Sequence, residues 1–269
     1  MPKSSPILEA KGLRKVFGPH LAVDDVSFAI EPGRSLAIVG ESGSGKTTVA
    51  RMLVGLERPT EGTITACGRD RSTPARSARE RRARGREVQI FFQDPYSSLD
   101  PRQSVESTID ETLRLHHKGD RSQRESRVRE LATFVGLDER QTRALPRGLS
   151  GGQRQRVAIA RALAASPRVL ILDESVAALD VSIQAQVLNL LQDIREATNV
   201  SYILISHDLA VVRQITDHTI VMHRGKVVES GPTARILDDP QEPYTRLLRA
   251  SVPTAGWKPE RRSREPIPT

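Results

Sequence analysis

Ser35-Leu36-Ala37-Ile38-Val39-Gly40-Glu41-Ser42-Gly43-Ser44-Gly45-Lys46-Thr47-Thr48 is the stretch on which the fold turns. Its first five residues form a short apolar run of the kind a buried parallel strand shows. After the glycines, Val49, Ala50, Met52, Leu53 and Leu56 recur at helical spacing. The glycine-rich turn therefore joins a strand to a helix, the context that gives Gly40-x4-Gly45-Lys46-Thr47 its meaning as a phosphate-binding loop. Glycines let the backbone wrap phosphate oxygens with its N–H groups, and the helix N-terminus adds its positive end. Lys46 is expected to pair the β- and γ-phosphates, and Thr47 to reach Mg²⁺ through its hydroxyl. A glycine turn that merely capped a helix would need neither the lysine nor the strand before it.

Downstream, Val169-Leu170-Ile171-Leu172-Asp173-Glu174 is a second apolar run, ending in two carboxylates. As a strand it would carry Asp173 to the C-terminal edge of the sheet, where α/β sheets bind ligands. There Asp173 would hold the Mg²⁺ hydration shell and Glu174 would orient the attacking water, because phosphoryl transfer needs positioning and charge stabilisation. The remaining elements follow the same alternation. Ile7 to Ile30 reads as paired strands around Gly18-Pro19, and Gly62 to Gly68 and Val88 to Phe92 as further strands. Ser104 to Leu145 is polar and helical in pattern, with breaks at Gly119-Asp120 and Gly136. A helix from Gly152 to Ala165, a helix from Gln184 to Ala197, a strand from Ser201 to Ile205, a short helix after His207 and a hairpin around Arg224-Gly225 complete the series. Strands alternating with helices predict a parallel α/β sheet. No internal repeat is present, so one nucleotide-binding unit is expected per chain.

Between the two runs stands Leu149-Ser150-Gly151-Gly152-Gln153, continued by Arg154-Gln155-Arg156-Val157-Ala158. Ser150-x-x-Gln153 fits a capping box ahead of a helix whose Val157, Ala160, Leu163 and Ala164 face inward. Capping accounts for Ser150 and Gln153, but not for Leu149 or the two glycines. With these three motifs in this order, the chain resembles the ATP-binding subunit of an ABC transporter over nearly all of residues 7–250. The resemblance implies an α/β P-loop NTPase (RecA-like) core with an antiparallel β subdomain and an inserted α-helical signature subdomain. One domain would span 7–250, with its core at 7–94 and 151–231, its helical part at about 95–150, and a C-terminal extension at 232–269. ATP would sit on Gly40, Ser42, Gly43, Gly45, Lys46, Thr47 and Thr48, with Mg²⁺ as cofactor. Ser150, Gly151, Gly152 and Gln153 would touch the γ-phosphate held by the opposite subunit of a dimer.

The resemblance extends to four single positions. Gln93 matches a glutamine that reaches Mg²⁺ and senses the membrane partner, and His207 a switch histidine that contacts the γ-phosphate. Asp180 matches an aspartate at the dimer interface, and Phe17 an aromatic that stacks on adenine. The family usually has proline and serine where this chain has Ser175 and Ala177. Two further segments, Phe91 to Arg102 and Glu242-Pro243-Tyr244-Thr245-Arg246-Leu247-Leu248, are similar to those of oligopeptide, dipeptide and nickel importers. The implied partners are a second ATPase chain, identical or related, and transmembrane permease subunits, with an extracytoplasmic solute-binding protein acting indirectly. The implied work is powering import of peptides or a related small solute such as nickel.

Composition sets outer limits. Only 3% of the 269 residues are aromatic, so the core must rely on Val, Ile, Leu and Ala. No apolar run approaches the ~20 residues of a membrane span, and Met1-Pro2-Lys3-Ser4-Ser5-Pro6 has no apolar segment of a signal peptide. The expected location is the cytoplasmic face of the cell membrane, held there through the permease. Cys67 is the single cysteine, so one chain makes no internal disulfide. The net charge is +8, and residues 69 to 86 supply +6 of it, with eight arginines against Asp70 and Glu80. Such a block reads as a solvated face. As a nucleic-acid or ribosome surface it would mark the alternative, a soluble ATPase of the same superfamily, but those relatives usually carry two ATPase units or a long coiled coil. His116-His117 is expected to be solvated too, rather than a nickel site.

Overall fold

The computed structural model describes residues 5–91, 99–174 and 181–250. In chain order the elements are β1 (Leu8–Phe17), β2 (His20–Ile30), β3 (Ser35–Val39), α1 (Lys46–Leu53), β4 (Glu61–Ala66), β5 (Arg69–Asp70), α2 (Ala78–Glu87) and β6 (Val88–Phe91). Then come α3 (Val105–His116), α4 (Arg121–Phe134), α5 (Glu139–Arg143), α6 (Gly151–Ala164), β7 (Val169–Asp173), α7 (Val181–Thr198) and β8 (Ser201–Ser206). The chain continues with α8 (Leu209–Ile215), β9 (His218–His223), β10 (Lys226–Pro232), α9 (Thr233–Asp238) and α10 (Pro243–Ala250).

Period-two alternation explains the layering. In β3, Leu36 and Ile38 enter one core while Ala37 and Val39 enter another; Ile171 against Leu170 and Leu172, and Ile203 against Tyr202 and Leu204, divide the same way. The central sheet, in the order β10-β9-β3-β8-β7-β6, is thus covered on both faces, as parallel sheets require. Its strands from β9 to β6 are parallel, and β10 returns antiparallel at the edge. On one face lie α1 and a second sheet, β2-β1-β4-β5, antiparallel throughout. On the other lie α3, α4 and α6 together with α7, α8 and α9. Among the described residues no helix is long and apolar enough to cross a membrane.

Two surface readings need correction. Arg71, within the arginine-rich stretch, is buried, and its guanidinium pairs with Glu87. The guanidinium also donates to the Arg84 carbonyl at 3.0 Å. One member of the block is therefore a structural pin, while α2 itself buries no residue. His117 is not free in solvent either. Its Nε2 lies 2.7 Å from the carbonyl oxygen of Ala164 and ties the end of α3 to the end of α6.

Candidate active site

Strand register brings the candidate residues together. Val39 pairs with Ser206, and Asp173 with Ile205, so β3, β7 and β8 end side by side. The residues that follow, Gly40, Glu174 and His207, therefore leave the same edge of the sheet. This is the edge at which ligands bind in open α/β sheets.

The glycines are forced by contact. A Cβ on Gly40 (φ 149°) would lie 2.2 Å from the Met222 carbonyl oxygen, and one on Gly45 (φ 103°) 2.5 Å from that of Ala22. Gly45 is the N-cap of α1 and offers no side chain to it, and the first turn contains no acidic residue. The leading N–H groups of α1 are thus left for an outside anion. Lys46 is buried, and its Nζ donates to the carbonyl oxygens of Gly40 and Glu41, both at 2.8 Å. Burial pulls its ammonium below the ordinary lysine value, against the pull of Glu174, Asp173 and Glu41.

Asp173 is 6% exposed, and its Oδ1 has no hydrogen-bond partner among the described residues. Burial pushes its carboxyl up to about 6, with Glu174 adding to the effect and Lys46 and Arg51 opposing it. Glu174 sits at φ 46°, a left-handed conformation that costs a non-glycine residue about 1 kcal/mol or more. Its N–H donates to the Ile205 carbonyl at 2.9 Å, which holds that turn. Its Oε1 lies 3.7 Å from Nδ1 of the exposed His207. A cleft of about 240 Å³ opens here, walled by Phe17, His20, Ala22, Ser42, Gly43, Gly45, Lys46, Thr47, Thr48 and Glu174. An orphaned carboxylate oxygen on Asp173 and an exposed hydroxyl on Thr47 are donors suited to a hard divalent cation.

Phe17, at the end of β1, is 42% exposed, and Nζ of Lys15 sits 4.6 Å from its ring centroid. His20 and Ala22 went unread in the sequence. The signal for His20 was local, since it faces Phe17 across the hairpin. Gln93 and Asp180 lie outside the described residues, as do Ser175 and Ala177. The Ser150–Gln153 segment is not part of this cleft. There the capping box is formed: Gln153 N–H donates to Ser150 Oγ at 3.3 Å, and Ser150 N–H to Gln153 Oε1 at 2.8 Å. Leu149 is buried, and a Cβ on Gly152 would meet Ile183 Cγ2 at 2.8 Å, whereas one on Gly151 would meet nothing within 4 Å.

Comparison with known proteins identifies the family of the chain. The ABC transporter family matches residues 23–177. A peptide import ATP-binding protein of Brucella abortus (strain 2308) is 47% identical over 234 residues, 87% of this chain and 70% of its own length. The di/tripeptide transport ATP-binding protein DppF of Pseudomonas aeruginosa (strain UCBPP-PA14) is 43% identical over 244 residues, 91% of this chain and 75% of its own. Among solved structures, the ATP-binding cassette MJ0796, a dimer in a post-hydrolysis state with ADP and Pi, superposes with a TM-score of 0.75 at 28% identity. That match covers 84% of this chain and 98% of the other. The chain belongs to the ABC transporter family and is one of its ATP-hydrolysing cassettes.

Proposed function

We propose that this chain binds and hydrolyses ATP to drive peptide import through a membrane permease that it meets on the cytoplasmic side. The observation that carries the site assignment is the convergence of Lys46, Asp173 and Glu174 at one edge of the sheet, with His207 at 3.7 Å from Glu174. The relatives' names, peptide import and di/tripeptide transport, support the solute class.

The triphosphate would lie along the uncapped N-terminus of α1, with the backbone from Gly43 to Thr48 donating to its oxygens. Lys46, whose Nζ now serves the carbonyls of Gly40 and Glu41, would turn part of its donor capacity to the β- and γ-phosphates. Mg²⁺, when bound, would neutralise phosphate charge, held through Thr47 and Asp173, with Gln93 reaching toward it. Glu174 would orient the attacking water and accept its proton; His207 would contact the γ-phosphate. Phe17 would stack on the adenine, and Ser42 would lie beside the phosphates. Ser150, Gly151, Gly152 and Gln153 would complete the site of a second ATPase chain, with Asp180 at the shared interface. The helical segment at about 95–150 is read as part of a single ATPase domain at 7–250, and 232–269 as its C-terminal extension. An extracytoplasmic solute-binding protein would supply the permease.

Affinity isolation of the tagged chain from gently solubilised native membranes tests the transport reading. A multi-span permease should accompany it, and recovery with ribosomes or nucleic acid instead would overturn the reading. For the chemistry, Glu174→Gln should hold an ATP-bound dimer, seen as a doubled mass in light scattering, with turnover nearly abolished. Unchanged turnover would remove Glu174 from its assigned role.

A further inference from the structure

We infer that Tyr244, on the C-terminal helix α10, is a positioning residue for the nucleotide site. The inference rests on the ATP reading above and adds a residue to it. The Glu41 N–H donates to the Tyr244 hydroxyl at 3.0 Å across 203 residues of sequence. That N–H belongs to the peptide unit linking Gly40 to Glu41. The oxygen of the same unit, Gly40 C=O, accepts from Lys46 Nζ at 2.8 Å. One peptide plane is therefore gripped at both ends, by Tyr244 at its nitrogen and by Lys46 at its oxygen. Rotation of that plane would swing the carbonyl that aims the lysine. The two bonds also form a chain through one amide, in which each polarises the other.

Tyr244 is itself held rigidly. Its ring lies against His223, with centroids 3.9 Å apart and planes 37° from parallel, and it packs with Leu248 on the main core. The backbone ahead of α10 is fastened by Glu229 on β10, whose carboxylate accepts from Gln241 N–H at 2.8 Å and Glu242 N–H at 3.4 Å. Pro243 opens the helix, where its missing N–H costs nothing. The hairpin bearing His223 also meets the phosphate loop directly, since Gly225 N–H donates to the Ser44 carbonyl at 3.1 Å. The C-terminal segment and the β9–β10 hairpin thus form one bracket behind the phosphate loop. Tyr244 is its contact at the peptide that orients Lys46.

Tyr244→Phe removes the hydroxyl and leaves the ring on His223. With Mg²⁺, ATP affinity measured by calorimetric titration should fall about three- to tenfold, because binding must then order a Gly40–Glu41 peptide plane that the hydrogen bond no longer holds. The KM for ATP should rise in step while kcat stays within about twofold, and the thermal midpoint without nucleotide should fall by no more than a few degrees. Leu248→Ala serves as the control: it loosens the same helix without touching Glu41. It should lower the thermal midpoint with less loss of ATP affinity than Tyr244→Phe. Equal ATP affinity in the parent and Tyr244→Phe would overturn the inference, as would equal loss in the two variants. Failure of the parent chain itself to bind ATP would overturn the nucleotide reading, and the inference with it.

Discussion

Asp173 is held in an environment that opposes its charge. Its buried carboxyl is pushed up to about 6 even with Lys46 and Arg51 nearby, and one oxygen lacks a partner among the described residues. Relative to the unfolded chain, the fold therefore disfavours the ionised form, and at neutral pH, where the group is mostly ionised, its charge destabilises the chain. From the size of the shift this is about 1–3 kcal/mol. Asp173→Asn keeps the shape and removes the charge, so it should raise the thermal midpoint of the nucleotide-free, Mg²⁺-free chain by a few degrees at pH 7.5. The same variant should lose the extra stabilisation that Mg²⁺ and ATP give the parent. A lower midpoint without ligands would show that attraction to Lys46 outweighs burial. The left-handed backbone of Glu174 tells a similar story of local cost at a proposed site position, as does the enforced glycine at Gly40.

At the level of elements, the sheet edge opposite the site is closed by a polar clasp. Asp217, just before β9, accepts from the N–H and hydroxyl of Ser35 on β3, each at 2.9 Å, and pairs with Arg195 on α7. Arg195 also donates to the Gly33 carbonyl at 3.0 Å and to Ser35 Oγ at 3.1 Å. Burial alone would raise the Asp217 carboxyl, but the Ser35 bonds and Arg195 together hold it below the usual value. A depressed folded-state pKa gives stability at neutral pH that is lost as pH falls through the acid range. Asp217→Asn should therefore lower the thermal midpoint at pH 7 by a few degrees, and the gap to the parent should close as the pH falls below about 4. The side chain is about one-third exposed, so screening limits the cost to about 1 kcal/mol. A gap that stays constant with pH would mean that packing, not charge, makes the clasp.

The clasp also shows what the sequence could and could not disclose. The strand–loop–helix unit at Ser35 to Leu53, the strand ending in Asp173 and the breaks at Gly119-Asp120 and Gly136 are written in local periodicity, and the elements form there. Pairings between distant side chains carry no such local mark. Arg71 reads as one of eight arginines until Glu87, 16 residues on, is brought beside it. His117 reads as solvated until α6 presents Ala164, and Tyr244 belongs to a motif whose contact with Glu41 arises only when α10 folds back. Charge and composition can be counted from the chain, but partners depend on topology.

For the whole molecule, the question is what the Leu149–Gln153 motif does on a segment that lies outside the chain's own cleft. Most of it has an intramolecular reason. Leu149 is core, Ser150 and Gln153 cap α6, and Gly152 makes room for Ile183. Gly151 has none: a Cβ there meets nothing within 4 Å, and its φ is not among the left-handed ones. Folding alone would accept other residues at this position, and an aspartate in the first turn of α6 would even suit the helix dipole. If a second chain brings its γ-phosphate to this spot, the same aspartate meets a like charge, at a cost of several kcal/mol. Gly151→Asp should therefore leave the thermal midpoint within about a degree of the parent, as for a surface change. Its ATPase turnover should fall roughly a hundredfold. Introduced into Glu174→Gln, it should return the ATP-bound dimer to monomer by light scattering. Full turnover with a dimer intact would place the second chain elsewhere on the surface, and an equal loss of fold and turnover would make Gly151 a structural glycine after all.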